Sequence, residues 1–206
     1  MKYDWKKMEK AFYSPKNKPE KVIIPPMNFF SIRGEGNPND SFFADYIGVL
    51  YALSYAVKMS PKSGSVPDNY FEYSVYPLEG VWDVNDEAKR RPMDRLDKDS
   101  LIFNLMIRQP DFVTAEYAAE IIERTKIKKA HPLLDKVKFE QIEDGNCIQM
   151  LHLGSYDSEP QSFAEMEAFA ESQGLIRKSK IHREIYLSDA RKTQSGKLKT
   201  VLRFQV

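Results

Sequence analysis

The sequence is poor in the residues that build covalent or metal-bound frameworks and has no long apolar run. Its single cysteine, Cys147, excludes an internal disulfide and a metal site made of several cysteines. No segment approaches the roughly 20 apolar residues of a membrane-spanning helix. The first ten residues, MKYDWKKMEK, contain no apolar core of signal-peptide length. We therefore expect a soluble, cytoplasmic protein that makes no contact with a membrane.

An excess of charge of one sign is also missing. The 31 Lys and Arg residues against 30 Asp and Glu residues give a formal net charge of +1, whereas a nucleic-acid-binding surface needs clustered basic residues. No G-x-G-x-x-G or G-K-[ST] pattern supports nucleotide binding. The 3 histidines show no metal-ligand spacing with a carboxylate. We expect no nucleic-acid partner, no metal and no cofactor, and the sequence leaves the oligomeric state open.

What is present is an ordinary globular composition rich in aromatic residues. The 206 residues include 12 Phe and 11 Tyr, and 42% of the chain is hydrophobic, enough for one sizeable domain or two small packed units. Residues 1–26 are rich in lysine and proline and are interpreted as an N-terminal tether. Residues 27–206 are predicted to form the folded domain.

Within residues 27–206 the same order of elements is predicted twice. The halves, about 27–112 and 145–206, each have the pattern strand–helix–strand–strand of an α+β fold, and a helical connection spans 113–144. In the second half, Ser162 and Glu165 match a capping box at the start of a helix. Each helix is expected to cover one face of its own antiparallel sheet, and the opposite faces are hypothesised to form a shared ligand groove.

The stretch HREIYLSD, residues 182–189, alternates in a way that fits two interpretations. His182, Glu184 and Tyr186 fall on one face of a strand, and Arg183 falls on the other. The first face is typical either of a solvent-exposed strand or of the wall of a binding site. Alternation alone does not decide between them.

Several segments resemble the GyrI-like small-molecule-binding family, also called the effector-binding domain of multidrug-sensing regulators. The resemblance is carried by FFSIRGEGNPND, LYALSYAVKM, YPLEGVW, MIRQPDFVTAEY, IQMLHLGSYDSEP and HREIYLSDARKTQSGKLKTVLRFQV. It covers about residues 27 to 206 and is strongest with the stand-alone, single-domain branch. The departures are Asp83 after the tryptophan, Arg183 in place of a histidine, and missing prolines in the closing segment.

The resemblance implies a pseudo-symmetric pair of strand–helix–strand–strand units, a duplicated SHS2-like fold, with the ligand in a groove between the halves. A glutamate at the centre of that groove corresponds to Glu184. In this family regulators bind cationic aromatic drugs, and some stand-alone members hydrolyse cyclopropane-bearing DNA-alkylating compounds. The resemblance therefore implies binding of amphipathic, aromatic or cationic molecules and leaves turnover open. The alternative is a protein-interaction module of the gyrase-inhibitor type without chemistry.

Eight residues are the candidates for the site. Glu184 would act on water or attract a cation, and Tyr186 would hydrogen-bond the ligand or hold the carboxylate. The candidates for ligand binding are Trp82, Glu79, Tyr76, Met106, His152 and His182. Several also have a structural interpretation: Trp82 and Tyr186 as packing residues, and Glu79 as a residue of the turn.

Overall fold

The chain is described by a computed structural model that covers residues 2–64, 66–90 and 97–206. It divides into two compact units. Unit 1 comprises Met1–Tyr3, Met27–Leu78 and Trp82–Ile142, and unit 2 comprises Asp4–Pro26, Glu79–Val81 and Glu143–Val206. Each unit combines antiparallel strands with helices. This confirms the α+β class and the repeated strand–helix–strand–strand order.

From Met27 onward, and apart from the short helix Asp86–Lys89, the helices and strands follow the predicted order along the chain. They are α1 (Trp5–Met8), α2 (Lys10–Tyr13), β1 (Glu20–Ile24), β2 (Met27–Glu35), α3 (Phe42–Lys58), β3 (Leu78–Val84), α4 (Asp86–Lys89), β4 (Leu101–Arg108), α5 (Ala115–Lys128), β5 (Lys138–Ile142), β6 (Gly145–Leu153), α6 (Glu159–Ser172), β7 (His182–Tyr186) and β8 (Lys199–Gln205). Short 3-10 turns occupy Ser60–Ser63, Lys98–Ser100, Pro132–Lys136, Tyr156–Ser158 and Ser195–Lys197. Among the described residues, no helix is both long and apolar enough to cross a membrane.

Unit 1 is built around β2, which pairs antiparallel with β4 on one side and with β5 on the other. Helix α3 packs on β2 and β4, and α5 packs on α3 and β5. Leu50, Leu53 and Val57 of α3 are fully buried at the three- and four-residue spacing that lines one helix face. Burying side chains of this size stabilises the unit by about 1.5–3 kcal/mol each.

Unit 2 contains a sheet in the order β1–β6–β8–β7, with antiparallel neighbours. Helix α6 covers one face of it, where Met166 and Ala170 pack against Met150, Leu202 and Phe204. The paired strands bring one apolar side chain after another beneath the helix because alternate residues of a strand share a face.

The N-terminal segment that the sequence analysis describes as a tether packs within unit 2. Strand β1 pairs with β6, and Trp5 and Tyr13 are 4% and 2% exposed. Gln149 Nε2 donates to the carbonyl of Ala11 at 2.6 Å, and Arg203 Nη2 donates to that of Phe12 at 2.8 Å. Aromatic burial and buried hydrogen bonds thus hold a segment that its lysines and prolines alone would leave extended.

Helix α6 begins four residues earlier than the capping-box motif predicts, because its N-cap is Ser158 and not Ser162. Its first residue is Glu159, so Ser162 is an interior, buried position of the helix. The predicted N-cap at Ser162 is therefore wrong. Pro160 explains the true start, since proline suits the first turn of a helix, where its missing N–H would have no partner.

Candidate functional site

The strand β7 places its even-numbered side chains on the face that helix α6 covers. Glu184 lies directly opposite Leu202 of β8, and Leu202 belongs to the apolar cluster beneath α6. Directly opposed residues of antiparallel strands share a face. His182, Glu184 and Tyr186 therefore lie on the helix-covered face of unit 2, and not on the open face that the groove hypothesis assigned to them.

Glu184 is held by its own strand neighbours. It is 8% exposed, its Oε2 accepts a hydrogen bond from the Tyr186 hydroxyl at 2.8 Å, and its Oε1 lies 3.1 Å from Nε2 of His182. The other ring nitrogen of His182, Nδ1, lies 3.2 Å from the carbonyl oxygen of Lys180. That oxygen only accepts, so Nδ1 donates to it. The Nε2–Oε1 bond then needs a second proton, on the ring or on Glu184.

A second carboxyl group, Glu159, lies in the same place and was missed by the sequence analysis. It opens α6, is 6% exposed, and its Oε1 makes no hydrogen bond to any of the described residues. Burial raises the pKa of Glu159 well above its usual range, and the charge of Glu184, its hydrogen bond to Glu184 and the charge of Asp157 raise it further. The signal that could have found Glu159 is Pro160, which marks the first turn of the helix.

Aromatic rings surround the two carboxyl groups. The ring of Tyr156 meets that of Tyr186 edge-on with centroids 6.0 Å apart, and Phe163 meets the His182 ring at 4.7 Å. Tyr156 is 38% exposed, so part of its ring is open to a ligand. Its pKa is raised to about 12 by burial and then by the charges of Glu184, Glu159 and Asp189. We name Tyr156, Glu159, Phe163, His182, Glu184 and Tyr186 the Glu184 cluster.

His152 holds the turn that leads into α6, next to the Glu184 cluster. It is 4% exposed, and its Nδ1 lies 2.9 Å from the hydroxyl of Ser162. Its Nε2 lies 3.0 Å from the carbonyl oxygen of Ser155 and 3.2 Å from the hydroxyl of Ser158. Because a carbonyl only accepts, Nε2 carries the proton and Nδ1 of a neutral ring accepts from Ser162. His152 thus fixes the residues just before and within the first turn of α6.

Glu79 contacts Arg183, which lies on the odd-numbered face of β7. Its Oε2 accepts from Nη1 of Arg183 at 2.9 Å, and Arg183 Nε bonds Oδ2 of Asp144 at 2.7 Å. Arg183 is 5% exposed and Glu79 is 2% exposed. Glu79 is therefore the ion-pair partner of a buried guanidinium and lies on the face of β7 opposite to Glu184.

Trp82 lies in an aromatic group of unit 1. It is 6% exposed, and its ring centroid is 6.0 Å from that of Phe43 of α3 and 5.5 Å from that of Phe103 of β4. Within unit 1, Trp82 therefore lies on the face of the sheet that α3 covers.

Met106 and Tyr76 lie elsewhere in unit 1. Met106 is fully buried and, three residues after Phe103 on β4, points to the face opposite to Phe103. Tyr76 is 3% exposed, and its ring lies 4.8 Å from the guanidinium carbon of Arg108. Of the eight candidates, the structure thus brings Glu184, Tyr186 and His182 into direct contact, with His152 supporting the adjacent turn.

The Glu184 cluster offers no evident metal site. Across residues 2–64, 66–90 and 97–206, no group of three or more His, Cys, Asp or Glu residues is arranged to hold a metal ion. The cluster contains two carboxyl groups, one imidazole and three aromatic rings. Such a set can exchange protons with a small molecule and pack against its rings.

Comparisons with known proteins give matches over nearly the whole chain. A family model described as GyrI-like small molecule binding domain matches residues 17–206. A crystal structure of an uncharacterized conserved protein from Listeria innocua is 39% identical, with a TM-score of 0.89 and 98% of both chains covered. A hydrolase from Listeria innocua is 37% identical, with a TM-score of 0.88 and the same coverage.

One solved structure of much lower sequence identity is similar to this chain in fold only. The EcmrR C-terminal domain is 14% identical, with a TM-score of 0.55 over 91% of this chain and 96% of that one. A search of curated proteins found no match.

Proposed function

Because the chain belongs to the family of GyrI-like small-molecule-binding domains, we propose that its Glu184 cluster binds an amphipathic, aromatic small molecule and hydrolyses electrophilic members of that class, such as cyclopropane-bearing compounds. The observation that carries the proposal is the buried carboxylate of Glu184, with one oxygen bonded to the Tyr186 hydroxyl and the other adjacent to His182. A carboxylate fixed in this way is oriented for chemistry before a ligand arrives.

The reaction would use Glu184 as the base that takes a proton from water. Its 8% exposure limits competition from bulk water, and electrostatic interactions are stronger at a buried site than in solution. Tyr186 orients the carboxylate, because its hydroxyl donates to Oε2. The partly exposed ring of Tyr156 would pack against the aromatic part of the ligand.

The hydrolase from Listeria innocua supports the enzymatic part of the proposal. It is 37% identical to this chain, and the alignment covers 98% of each. Activity on an electrophile of this kind would serve to detoxify it.

Binding without chemistry is the second candidate function. A carboxylate beside aromatic rings also suits a lipophilic cation, which the charge and the ring faces both attract. The partly exposed Tyr156 favours this candidate as well as the first. A protein with this function would sequester or sense a drug-like cation.

The experiment that separates the two is a turnover assay with a cyclopropane-bearing DNA-alkylating compound, read by mass spectrometry. Wild type is expected to form a product heavier by one water, and Glu184→Gln is expected to lose at least about a hundredfold of the rate, the lower end of what a general base contributes. Glu165→Gln, an exposed glutamate on the outer side of α6, is the matched control and should retain the rate.

The shift in unfolding temperature caused by the fluorescent aromatic cation rhodamine 6G measures binding independently of turnover. Absence of product together with a wild-type shift that Glu184→Gln abolishes would favour binding alone. Neither product nor shift in wild type would contradict both candidates for these compounds.

A further inference from the structure

The two carboxyl groups of the Glu184 cluster carry an inference that rests on the proposed function and deepens it. Adding water to an electrophile needs a base for the water and an acid for the oxygen that becomes negative. Tyr186 and His182, the neighbouring groups on β7, are both engaged with Glu184 itself. The acid must therefore come from another element.

Glu159, on the first turn of α6, has the atom that this role needs. Its Oε1 is buried and, among the described residues, has no hydrogen-bond partner. A buried polar atom without a partner is uncommon and costly, so a ligand atom is its natural partner. Two buried carboxyl groups in contact are also a poor place for two negative charges, and one proton between them removes the repulsion.

We propose that Glu159 and Glu184 hold one proton between them and that Glu159, the protonated member, is the acid of the site. Water would add as its oxygen bonds to a carbon of the strained ring and the ring C–C bond breaks. The electron pair of that bond moves to a conjugated carbonyl oxygen, which takes the proton of Glu159, while Glu184 takes the proton of the water. Return of that proton from Glu184 to Glu159 through their mutual contact restores the pair.

The groups that face the pair favour this distribution of charge. Burial and the charge of Glu184 raise the pKa of Glu159, and Asp157 acts in the same direction. From β7, the Tyr186 hydroxyl donates a hydrogen bond to Glu184, which stabilises the negative charge on Glu184. His182 faces the other oxygen of Glu184. The Tyr156 hydroxyl stays neutral at ordinary pH, because burial and the nearby carboxylates raise its pKa to about 12.

The test replaces Glu159 by glutamine, which keeps the shape and the ability to donate a hydrogen bond but cannot transfer a proton. With the cyclopropane-bearing compound, Glu159→Gln is expected to lower kcat at least about a hundredfold, as for a general acid, and to leave the rhodamine 6G shift in place. Wild-type kcat should fall at high pH as Glu159, whose pKa is raised by burial and by Glu184, ionises. The alkaline fall should be missing in Glu159→Gln.

The profile distinguishes an acid from a structural residue. A structural role would lower the rate by the same factor at every pH, so an unchanged alkaline fall in Glu159→Gln would overturn the inference, as would a wild-type rate in that variant. Glu165→Gln should keep both the rate and the shape.

Infrared spectroscopy tests the shared proton without any turnover. At pH 7.5 the wild type should show the carbonyl stretch of a protonated carboxylic acid that disappears in Glu159→Gln and persists in Glu165→Gln. If this signal is present but no compound is hydrolysed, the proposed hydrolysis fails and the proton pair stands. If Glu159→Gln removes no such signal, the pair is refuted even where hydrolysis is observed.

Discussion

At the scale of single residues, two glutamates that are far apart in sequence have complementary surroundings. Glu184 has a hydrogen-bond donor, Tyr186, at one of its oxygens, whereas Glu159 has a buried oxygen without a partner among the described residues. The first arrangement stabilises a negative charge and the second favours a proton. A Glu159 that stays protonated at neutral pH makes the free energy of unfolding depend on pH.

Folding is expected to become less favourable as pH rises through the range in which only the unfolded chain ionises Glu159. The unfolded group loses its proton near 4.5 and the folded group loses it at a higher pKa, because burial and Glu184 raise it. The contribution of protonated Glu159 to stability is therefore complete at pH values below its pKa in the unfolded chain. It is lost as the pH rises toward its pKa in the folded protein. The free energy of unfolding should fall by at most about 1.4 kcal/mol per pH unit in this window.

Glu159→Gln should remove that slope, since the glutamine side chain is neutral in both states. Urea unfolding at several values between about pH 5 and pH 8 should show the variant gaining stability relative to wild type as pH rises. The exposed substitution Glu165→Gln serves as the control. Parallel curves for wild type and Glu159→Gln would mean that Glu159 is ionised in the folded protein.

At the scale of secondary-structure elements, the start of α6 decides where Glu159 and Tyr156 lie. Ser158, at the N-cap position, makes no side-chain hydrogen bond to the helix backbone. Gly154 has φ of 140°, and a Cβ there would lie 2.9 Å from Ser158 Oγ, so only glycine fits the turn. His152 then bonds the residues on both sides of the helix start.

His152→Leu is expected to destabilise the protein by about 2–3 kcal/mol, because it removes buried hydrogen bonds and leaves the Ser162 hydroxyl without one. Urea unfolding measures the change, and the rhodamine 6G shift should weaken with it, since the start of α6 carries part of the site. His131→Leu, which removes a cap of a short surface turn, should cost about 1 kcal/mol or less. Equal losses in the two variants would contradict the role given to His152.

At the scale of the whole molecule, unit 2 joins residues from the beginning and the end of the chain by buried polar contacts. Arg203 bonds the carbonyl of Phe12, and Arg183 joins Asp144 to Glu79. Charges buried in this way depend on each other, since removing one partner leaves the others without compensation.

Arg183→Met should therefore destabilise the protein by about 3–5 kcal/mol, the usual result of leaving a buried charge unpaired. Arg191→Met is the matched control: its ion pair with Asp189 involves a side chain that is 82% exposed, so we expect a change within about 0.5 kcal/mol. Thermal or urea unfolding measures both. A small effect of Arg183→Met would show that water reaches Asp144 and Glu79.

Much of the fold and part of the site could be predicted from the sequence. The order of elements follows from apolar periodicity, and two-residue alternation placed His182, Glu184 and Tyr186 on one face of β7. These are local properties, fixed by backbone geometry within a few residues. The family resemblance, confirmed over residues 17–206, then favoured a binding site over a solvent-exposed strand.

Only the tertiary structure decided which face of β7 the helix covers, that Glu159 meets Glu184, and that Arg183 and Glu79 form a buried ion pair. Each of these depends on sheet register and on contacts between distant parts of the chain, such as Glu184 opposite Leu202. A sequence pattern specifies that two faces differ but not what packs on each. The assignment of Trp82 and Met106 to the same ligand site remains a prediction.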